Sequence, residues 1–120
     1  DFYVWYDAGN CLFRNELPPK KRFNLSSPKK LPSDKISYSE SYPPEDSHKV
    51  SGTALIIHNT LINDVHTLFF RCVRHRRNEM EHWEYGSDQV IWTILLNEKP
   101  RMFYKLCDGY GENLNMVYKL

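Results

Sequence analysis

The feature that most constrains the fold is a change of hydrophobic period near residue 58. Before it, Ala54–Ile57 is a continuous apolar run, typical of a strand covered on both faces. After it, the apolar residues recur at helical spacing on one face: Leu61, Val65, Leu68, Phe69 and Cys72. This face predicts a helix running to about Glu81, with Asn59 as its N-cap. A buried strand followed directly by an amphipathic helix predicts an α/β layer architecture.

Four further elements complete the predicted α/β layer. The aromatic run Phe2–Tyr6 predicts a second buried strand of the parallel type, central in the sheet and next to Ala54–Ile57. Lys35–Ser39 alternates polar and apolar residues and predicts a short half-buried strand. Ser87 is a suitable cap for a second helix, whose expected buried residues are Ile91, Ile94 and Leu95. Met102–Leu106 predicts a last strand, followed by a turn from Cys107.

Residues 14–34 differ in composition from the rest of the chain. They hold Pro18, Pro19, Pro28 and Pro32 together with many lysines, so a long surface loop is expected. Its basic runs have two interpretations, solvated loop charge or phosphate contact. The formal net charge of the chain is only +1, so no overall field favours nucleic acid or a membrane surface. No apolar stretch approaches the roughly 18 residues that a membrane span needs.

The chain starts at Asp1, directly before the apolar run, which is an unusual place for a domain to start. We therefore expect residues 1–120 to be a single partial domain of a longer protein, inert as an enzyme in isolation. The three cysteines allow at most one internal disulfide. Asn24-Leu25-Ser26 is a glycosylation sequon, which matters only if the protein enters the secretory pathway.

Three short polar clusters stand at the ends of predicted elements. Asp7-Ala8-Gly9 follows the predicted strand Phe2–Tyr6, where a carboxylate can hold a hard cation and, through it, a diphosphate. Ser51-Gly52-Thr53 comes directly before the apolar run Ala54–Ile57, where a glycine lets a ligand approach the backbone. Gly86-Ser87-Asp88-Gln89 opens the second helix, where polar side chains can bind sugar hydroxyls or accept a proton. The structural alternatives are a turn aspartate, a bend glycine and a helix cap.

Two other groups have stronger structural explanations than functional ones. Cys72 and His75 have the spacing of a metal-binding pair on a helix, but Cys72 belongs to the apolar face and is expected in the core. The cluster Arg74–Arg77 precedes Glu79 and Glu81, which is typical of a helix surface with ion pairs rather than of a nucleic-acid interface.

The order of the three polar clusters resembles the HtrL/YibB-type glycosyltransferases. The matching segments are Trp5-Tyr6-Asp7-Ala8-Gly9, Val50-Ser51-Gly52-Thr53 and Gly86-Ser87-Asp88-Gln89, with a proline-rich loop after the first. The resemblance covers nearly all of the chain and extends to the wider GT-A pattern. It implies the C-terminal half of a GT-A-like domain, with a mixed sheet flanked by helices.

The same resemblance implies a role for each cluster in sugar transfer from a nucleotide sugar to a carbohydrate acceptor. Asp7 would lie at a metal-bound diphosphate, with Mn²⁺ or Mg²⁺ as the metal. Ser51 and Gly52 would line the sugar pocket, and Gln89 would contact the donor sugar or the acceptor. Asp88 would be the catalytic base or the anchor for a sugar hydroxyl. One departure is Gly9, which stands where the family pattern has the last aspartate of a D-x-D motif.

The alternative is a module without catalytic activity. In that case the same pocket binds carbohydrate, or the aromatic and basic surface binds a protein partner. The two hypotheses differ in whether a nucleoside diphosphate binds, with and without a divalent metal.

Overall fold

The structure is a computed structural model that describes residues 1–6, 31–41, 46–79 and 88–108. Its regular elements in chain order are the strands β1 (Phe2–Tyr6), β2 (Ile36–Glu40) and β3 (Val50–His58), the helices α1 (Ile62–Glu79) and α2 (Asp88–Glu98), and the strand β4 (Phe103–Asp108). The four strands form one mixed sheet in the order β1-β3-β2-β4. Helix α2 packs on β3, and α1 packs on α2. The predicted α/β fold with a mixed sheet and helices is confirmed.

Strand direction brings several strand ends to the same place. β3 is antiparallel to both β1 and β2, whereas β2 and β4 are parallel. Strands β1, β2 and β4 therefore run in one direction, and β3 runs against them. Tyr6 pairs with Ala54, and Glu40 pairs with both Val50 and Asp108. We call this end of the sheet, where three strands finish and β3 begins, the carboxyl end.

The main hydrophobic core lies between the helices and one face of the sheet. Its buried members come from β2, β3, β4 and both helices: Ile36, Tyr38, Val50, Leu55, Val65, Cys72, Ile91, Leu95 and Phe103. Along β3, Leu55 joins this core, while the next residue, Ile56, packs on the opposite face with Cys107. The continuous apolar run is thus explained by a strand covered on both faces. Burying each large side chain contributes roughly 1.5–3 kcal/mol.

The prediction for α1 is largely confirmed. Val65 and Cys72 are buried, and the other three members of the predicted face, Leu61, Leu68 and Phe69, are partly buried against the core. The predicted cap is wrong. A short 3₁₀ turn, Asn59–Leu61, precedes the helix, and the side chain of His58 caps that turn by accepting a hydrogen bond from the Thr60 N–H.

β1 has the predicted neighbour in the sheet, but the predictions of its burial and its direction are wrong. β1 pairs with β3 as expected, but antiparallel, and it stands last in the described strand order rather than in the centre. Tyr3, Val4 and Trp5 are 60%, 46% and 61% exposed. An apolar aromatic run favours a strand, but it does not specify how many neighbours cover that strand.

β2 is more buried than its alternating sequence predicts. Ile36, Ser37, Tyr38 and Ser39 are all buried because β2 lies between β3 and β4. The hydroxyls of Ser37, Ser39 and Ser41 are buried and have no hydrogen-bond partner among the described residues. The serines indicated a solvent-facing side, and the interior position of the strand overrides that signal.

The last two elements confirm their predicted type with small differences. In α2, Ile91 and Leu95 are buried as predicted, while Ile94 is partly exposed and Thr93 is buried instead. β4 continues to Asp108, so the predicted turn from Cys107 is wrong, and Cys107 is a buried strand residue. Most of the predicted 14–34 loop lies outside the described residues. Of the helices in the described ranges, none is both long and apolar enough to cross a membrane.

Candidate ligand site at the carboxyl end of the sheet

Gly52 and the first residues of α2 are in close contact. A β-carbon added to Gly52 would lie 2.8 Å from Gln89 Cγ and 3.0 Å from Asp88 Oδ1. The φ angle of Gly52 is not in the left-handed region, so this close approach, rather than backbone conformation, explains the glycine. The sequence predicted that the missing side chain leaves room for a ligand. In the structure that room is filled by the side chains of Asp88 and Gln89.

Asp88 is the first residue of α2 and is partly buried. Its Oδ1 accepts a hydrogen bond from the Gln89 N–H at 3.0 Å. A carboxylate at a helix N-terminus is stabilised by the helix dipole, which is positive at that end. Gly86 and the predicted cap Ser87 lie outside the described residues. The carboxylate of Asp88 therefore lies at the carboxyl end of the sheet, where the helix dipole stabilises its negative charge.

Thr93 fixes α2 against the start of β3. The Val50 N–H donates to Thr93 Oγ1 at 3.1 Å, and both residues are buried. This bond satisfies a strand donor that would otherwise be buried without a partner. Because Thr93 lies about one helical turn after Gln89, the bond also sets the distance between Gly52 and Asp88. Sequence analysis missed Thr93, whose only signal was a hydroxyl within the apolar segment 90–96.

Ser51 differs from its neighbour Gly52 in access. Ser51 has 0% exposed surface, whereas Gly52 is partly exposed. A ligand reaches Ser51 only if neighbouring side chains move. Gly52, Asp88 and Gln89 are accessible as they stand, so three of the four described candidate residues form one accessible group.

A cavity of about 350 Å³ opens beside Asp88, between the β1–β3 part of the sheet and the two helices. We call it the aromatic groove, and its lining residues are Trp5, Leu55, Ile57, Ile62, Val65, His66, Phe69, Phe70, Asp88 and Trp92. The rings of Phe69 and Trp92 lie 4.8 Å apart, as do those of His66 and Phe70. Among the described lining residues, Asp88 alone carries a carboxylate, and the rest of the lining is almost wholly apolar. Such a combination of apolar walls and few polar groups is typical of small-molecule sites.

Sequence analysis did not find the aromatic groove. Trp5 was expected to be buried in a central strand, whereas its exposed position leaves its ring free to form a wall. Phe70 lies outside the predicted buried face of α1 and is 48% exposed. The sequence did contain one signal of the groove, the pair Phe69-Phe70. Two consecutive residues of a helix point in different directions, so the buried face that includes Phe69 does not explain Phe70.

Asp7, the predicted metal ligand, lies outside the described residues, as does Gly9. Tyr6, which precedes Asp7 in the chain, pairs with Ala54, two residues from Gly52. Within the described ranges, no group of three or more His, Cys, Asp or Glu side chains is placed to hold a metal ion. The fit of the residues to Mn²⁺ or Mg²⁺ therefore depends on Asp7.

Two other carboxylates at the carboxyl end are engaged by a lysine. Lys105 Nζ lies 2.8 Å from Glu40 Oε2 and 3.0 Å from Asp108 Oδ1. These hydrogen bonds, that to Glu40 foremost, hold the pKa of Lys105 above its usual value. A protonated lysine between two carboxylates compensates their charge, so this cluster supports the ends of β2 and β4 rather than a cation. Sequence analysis did not single out these residues.

The two groups with structural explanations behave as expected. Cys72 is buried in the core, and desolvation raises the pKa of its thiol. His75 is exposed on the same helix and lies 3.2 Å from Glu79. Cys72 is therefore a core residue, and the exposed side of α1 carries a contact between His75 and Glu79 at one-turn spacing.

We compared the chain with protein families, with curated proteins and with solved structures, and none matched significantly. The resemblance to HtrL/YibB-type glycosyltransferases therefore depends on the three sequence motifs alone. Of those motifs, the second and third meet in the structure through Gly52, Asp88 and Gln89.

Proposed function

We propose that this chain is part of a glycosyltransferase that transfers sugar from a nucleotide sugar to a hydroxyl acceptor. One observation supports this proposal most: the contact between Gly52 and Asp88, which are 36 residues apart in sequence. Three strands end near this contact, and ligands of open α/β sheets bind outside the carboxyl ends of strands. Gly52 and Asp88 belong to two of the three motifs, and Asp7, from the remaining motif, lies outside the described residues.

In the proposed reaction the acceptor oxygen forms a bond to the anomeric carbon of the donor sugar. The bond from that carbon to the nucleoside diphosphate breaks, and the diphosphate leaves with the electron pair. Asp88 takes the proton of the acceptor hydroxyl, or orients that hydroxyl if the proton leaves with the diphosphate. Gln89 contacts the donor sugar or the acceptor, and Gly52 lies in the wall of the sugar pocket. Ser51 reaches the sugar only if neighbouring side chains move. A divalent ion held at Asp7 would neutralise charge on the departing diphosphate.

The second candidate is a binding module without transfer activity. The aromatic groove favours it, because apolar walls with one carboxylate can hold a ligand without any reaction. This candidate needs neither a nucleotide site nor a metal. Nucleotide binding therefore separates the two.

The test is isothermal titration calorimetry of the longest natural form of the protein with UDP and other nucleoside diphosphates, with and without MnCl₂. We expect binding that Mn²⁺ strengthens, and loss of the Mn²⁺ effect in Asp7→Asn. Asp46→Asn is the matched control, because Asp46 is an exposed loop aspartate, and it should behave like the unchanged protein. If no nucleoside diphosphate or nucleotide sugar binds under either condition, the transferase proposal is wrong.

A further inference from the structure

The walls of the aromatic groove restrict what can occupy it. Four aromatic side chains, Trp5, Phe69, Phe70 and Trp92, and four aliphatic ones surround the space. The polar groups among the lining residues are Asp88 and the ring of His66. A ligand here meets hydrocarbon over most of its surface and polar groups at Asp88 and His66.

A sugar ring fits these walls poorly. A monosaccharide carries several hydroxyls, and each one placed against hydrocarbon without a partner costs roughly 1–3 kcal/mol. Asp88 and His66 satisfy only a few of them, although one face of a sugar can stack on an aromatic ring. The lining therefore favours a ligand with an apolar body and a single polar end.

A cationic ligand is also less suited to the groove than a neutral one. Aromatic rings with a carboxylate can hold an ammonium group. However, the charge of Asp88 already faces the N-terminus of α2 and accepts the Gln89 N–H at 3.0 Å. Phe69 and Trp92 pack on each other at 4.8 Å, so these two rings form a wall rather than an open cage. Asp88 is partly exposed, and its carboxylate is suited to a hydroxyl donor.

From these features we infer that the acceptor of the transferase is an apolar molecule with one hydroxyl, bound in the aromatic groove with that hydroxyl at Asp88. This inference depends on the proposed function and replaces the carbohydrate acceptor that the family resemblance implies. The groove, at about 350 Å³, has the volume of roughly twelve water molecules, enough for an aryl or short alkyl alcohol. Transfer forms the bond from the alcohol oxygen to the anomeric carbon, releases the nucleoside diphosphate and passes the alcohol proton to Asp88.

The test measures the affinity of four probes by NMR titration of the chain. Two are 4-phenylbutan-1-ol and its methyl ether, which lacks the hydroxyl donor. The others are methyl β-D-glucopyranoside, which is a polyol, and 4-phenylbutylamine, which is a cation. We expect the alcohol to bind most tightly, with about a twofold to tenfold preference over the ether that disappears in Asp88→Ala. The polyol should bind far more weakly than either.

A matched pair of aromatic substitutions tests whether the alcohol binds in the aromatic groove. Phe70→Ser should weaken binding of the alcohol by about fivefold to tenfold, because the half-exposed ring loses its contact with the ligand. Tyr104→Ser should leave it unchanged, since Tyr104 is similarly exposed, at 42%, and lies on β4 outside the groove lining. Equal effects of the two substitutions would contradict the inference.

The remaining outcomes separate this inference from the proposed function. If methyl β-D-glucopyranoside or 4-phenylbutylamine binds the groove more tightly than the alcohol, the inference about the acceptor is wrong, whether or not nucleotides bind. If the alcohol binds as expected but no nucleotide sugar does, the transferase proposal is wrong and the acceptor role falls with it. If a nucleotide sugar binds and the alcohol is glycosylated, both are supported.

Discussion

Replacing Gly52 by alanine tests the contact on which the site depends. The new β-carbon would lie 2.8 Å from Gln89 Cγ, closer than real β-carbons approach, and 3.0 Å and 3.4 Å from the two carboxylate oxygens of Asp88. Alanine in place of glycine within a strand usually gains about 0.5–1 kcal/mol. Overpacking of a close contact costs about 1–3 kcal/mol. We therefore expect Gly52→Ala to lower the free energy of unfolding by about 1 kcal/mol.

Urea denaturation followed by tryptophan fluorescence measures this change, and Gln89→Ala supplies the control. Alanine at position 89 has no Cγ, so the closest of the three contacts disappears. In that background Gly52→Ala should cost close to nothing, giving a coupling of at least about 0.5 kcal/mol between the two sites. If Gly52→Ala costs the same in both backgrounds, or stabilises the unchanged protein, the close approach of β3 and α2 is wrong.

Three further predictions concern the frame around the site. Thr93→Val should cost about 1–3 kcal/mol by leaving the buried Val50 N–H without a partner, whereas Thr67→Val, on the exposed side of α1, should change urea stability little. Ser39→Ala should stabilise by on the order of 1 kcal/mol, because its buried hydroxyl has no hydrogen-bond partner within the described ranges. A clear loss of stability in urea denaturation would show a partner there. Burial, and after it the negative charge of Glu40, raises the pKa of Tyr38 above its usual value of 10.0. The Tyr38 hydroxyl therefore loses its proton at a lower pH in the unfolded chain than in the folded protein. The free energy of unfolding should fall as pH rises past about 10, and it should fall less steeply in Tyr38→Phe than in the unchanged protein. Equal slopes in the two proteins would refute this prediction.

The elements that the sequence predicted well are those whose period is unambiguous. The apolar residues Leu55 and Ile57 specified a strand, and the face of α1 that includes Val65 and Cys72 specified a helix. Both are present, but α1 packs on α2, and α2 packs on β3. The contact of Gly52 with α2 has a cause that the predicted strands did not include. β3 runs antiparallel to β1 and β2, so its beginning lies beside their ends.

The features that the sequence did not predict depend on neighbours far along the chain. Trp5 has the same residue type whether β1 is central or last in the sheet, so its exposure was not accessible from local pattern. Ser37 and Ser39 are polar, but the strands on both sides of β2 bury them. The aromatic groove requires β1, α1 and α2 to be placed together, and no single segment encodes that placement. Asp7 lies outside the described residues, so its predicted role in metal binding stays a prediction.

The most direct test of the central claim is the effect of Asp88→Asn on sugar transfer and on nucleotide binding. Both are measured on one preparation of the longest natural form of the protein. If Asp88 acts on the acceptor hydroxyl, the substitution should lower kcat by about 10²–10⁴-fold and change the affinity for the nucleotide sugar little, because asparagine keeps the shape but cannot take a proton. Circular dichroism and urea denaturation would establish that the fold is retained. A transfer rate that Asp88→Asn leaves unchanged, in a protein that still binds the donor, would contradict the assignment of this site.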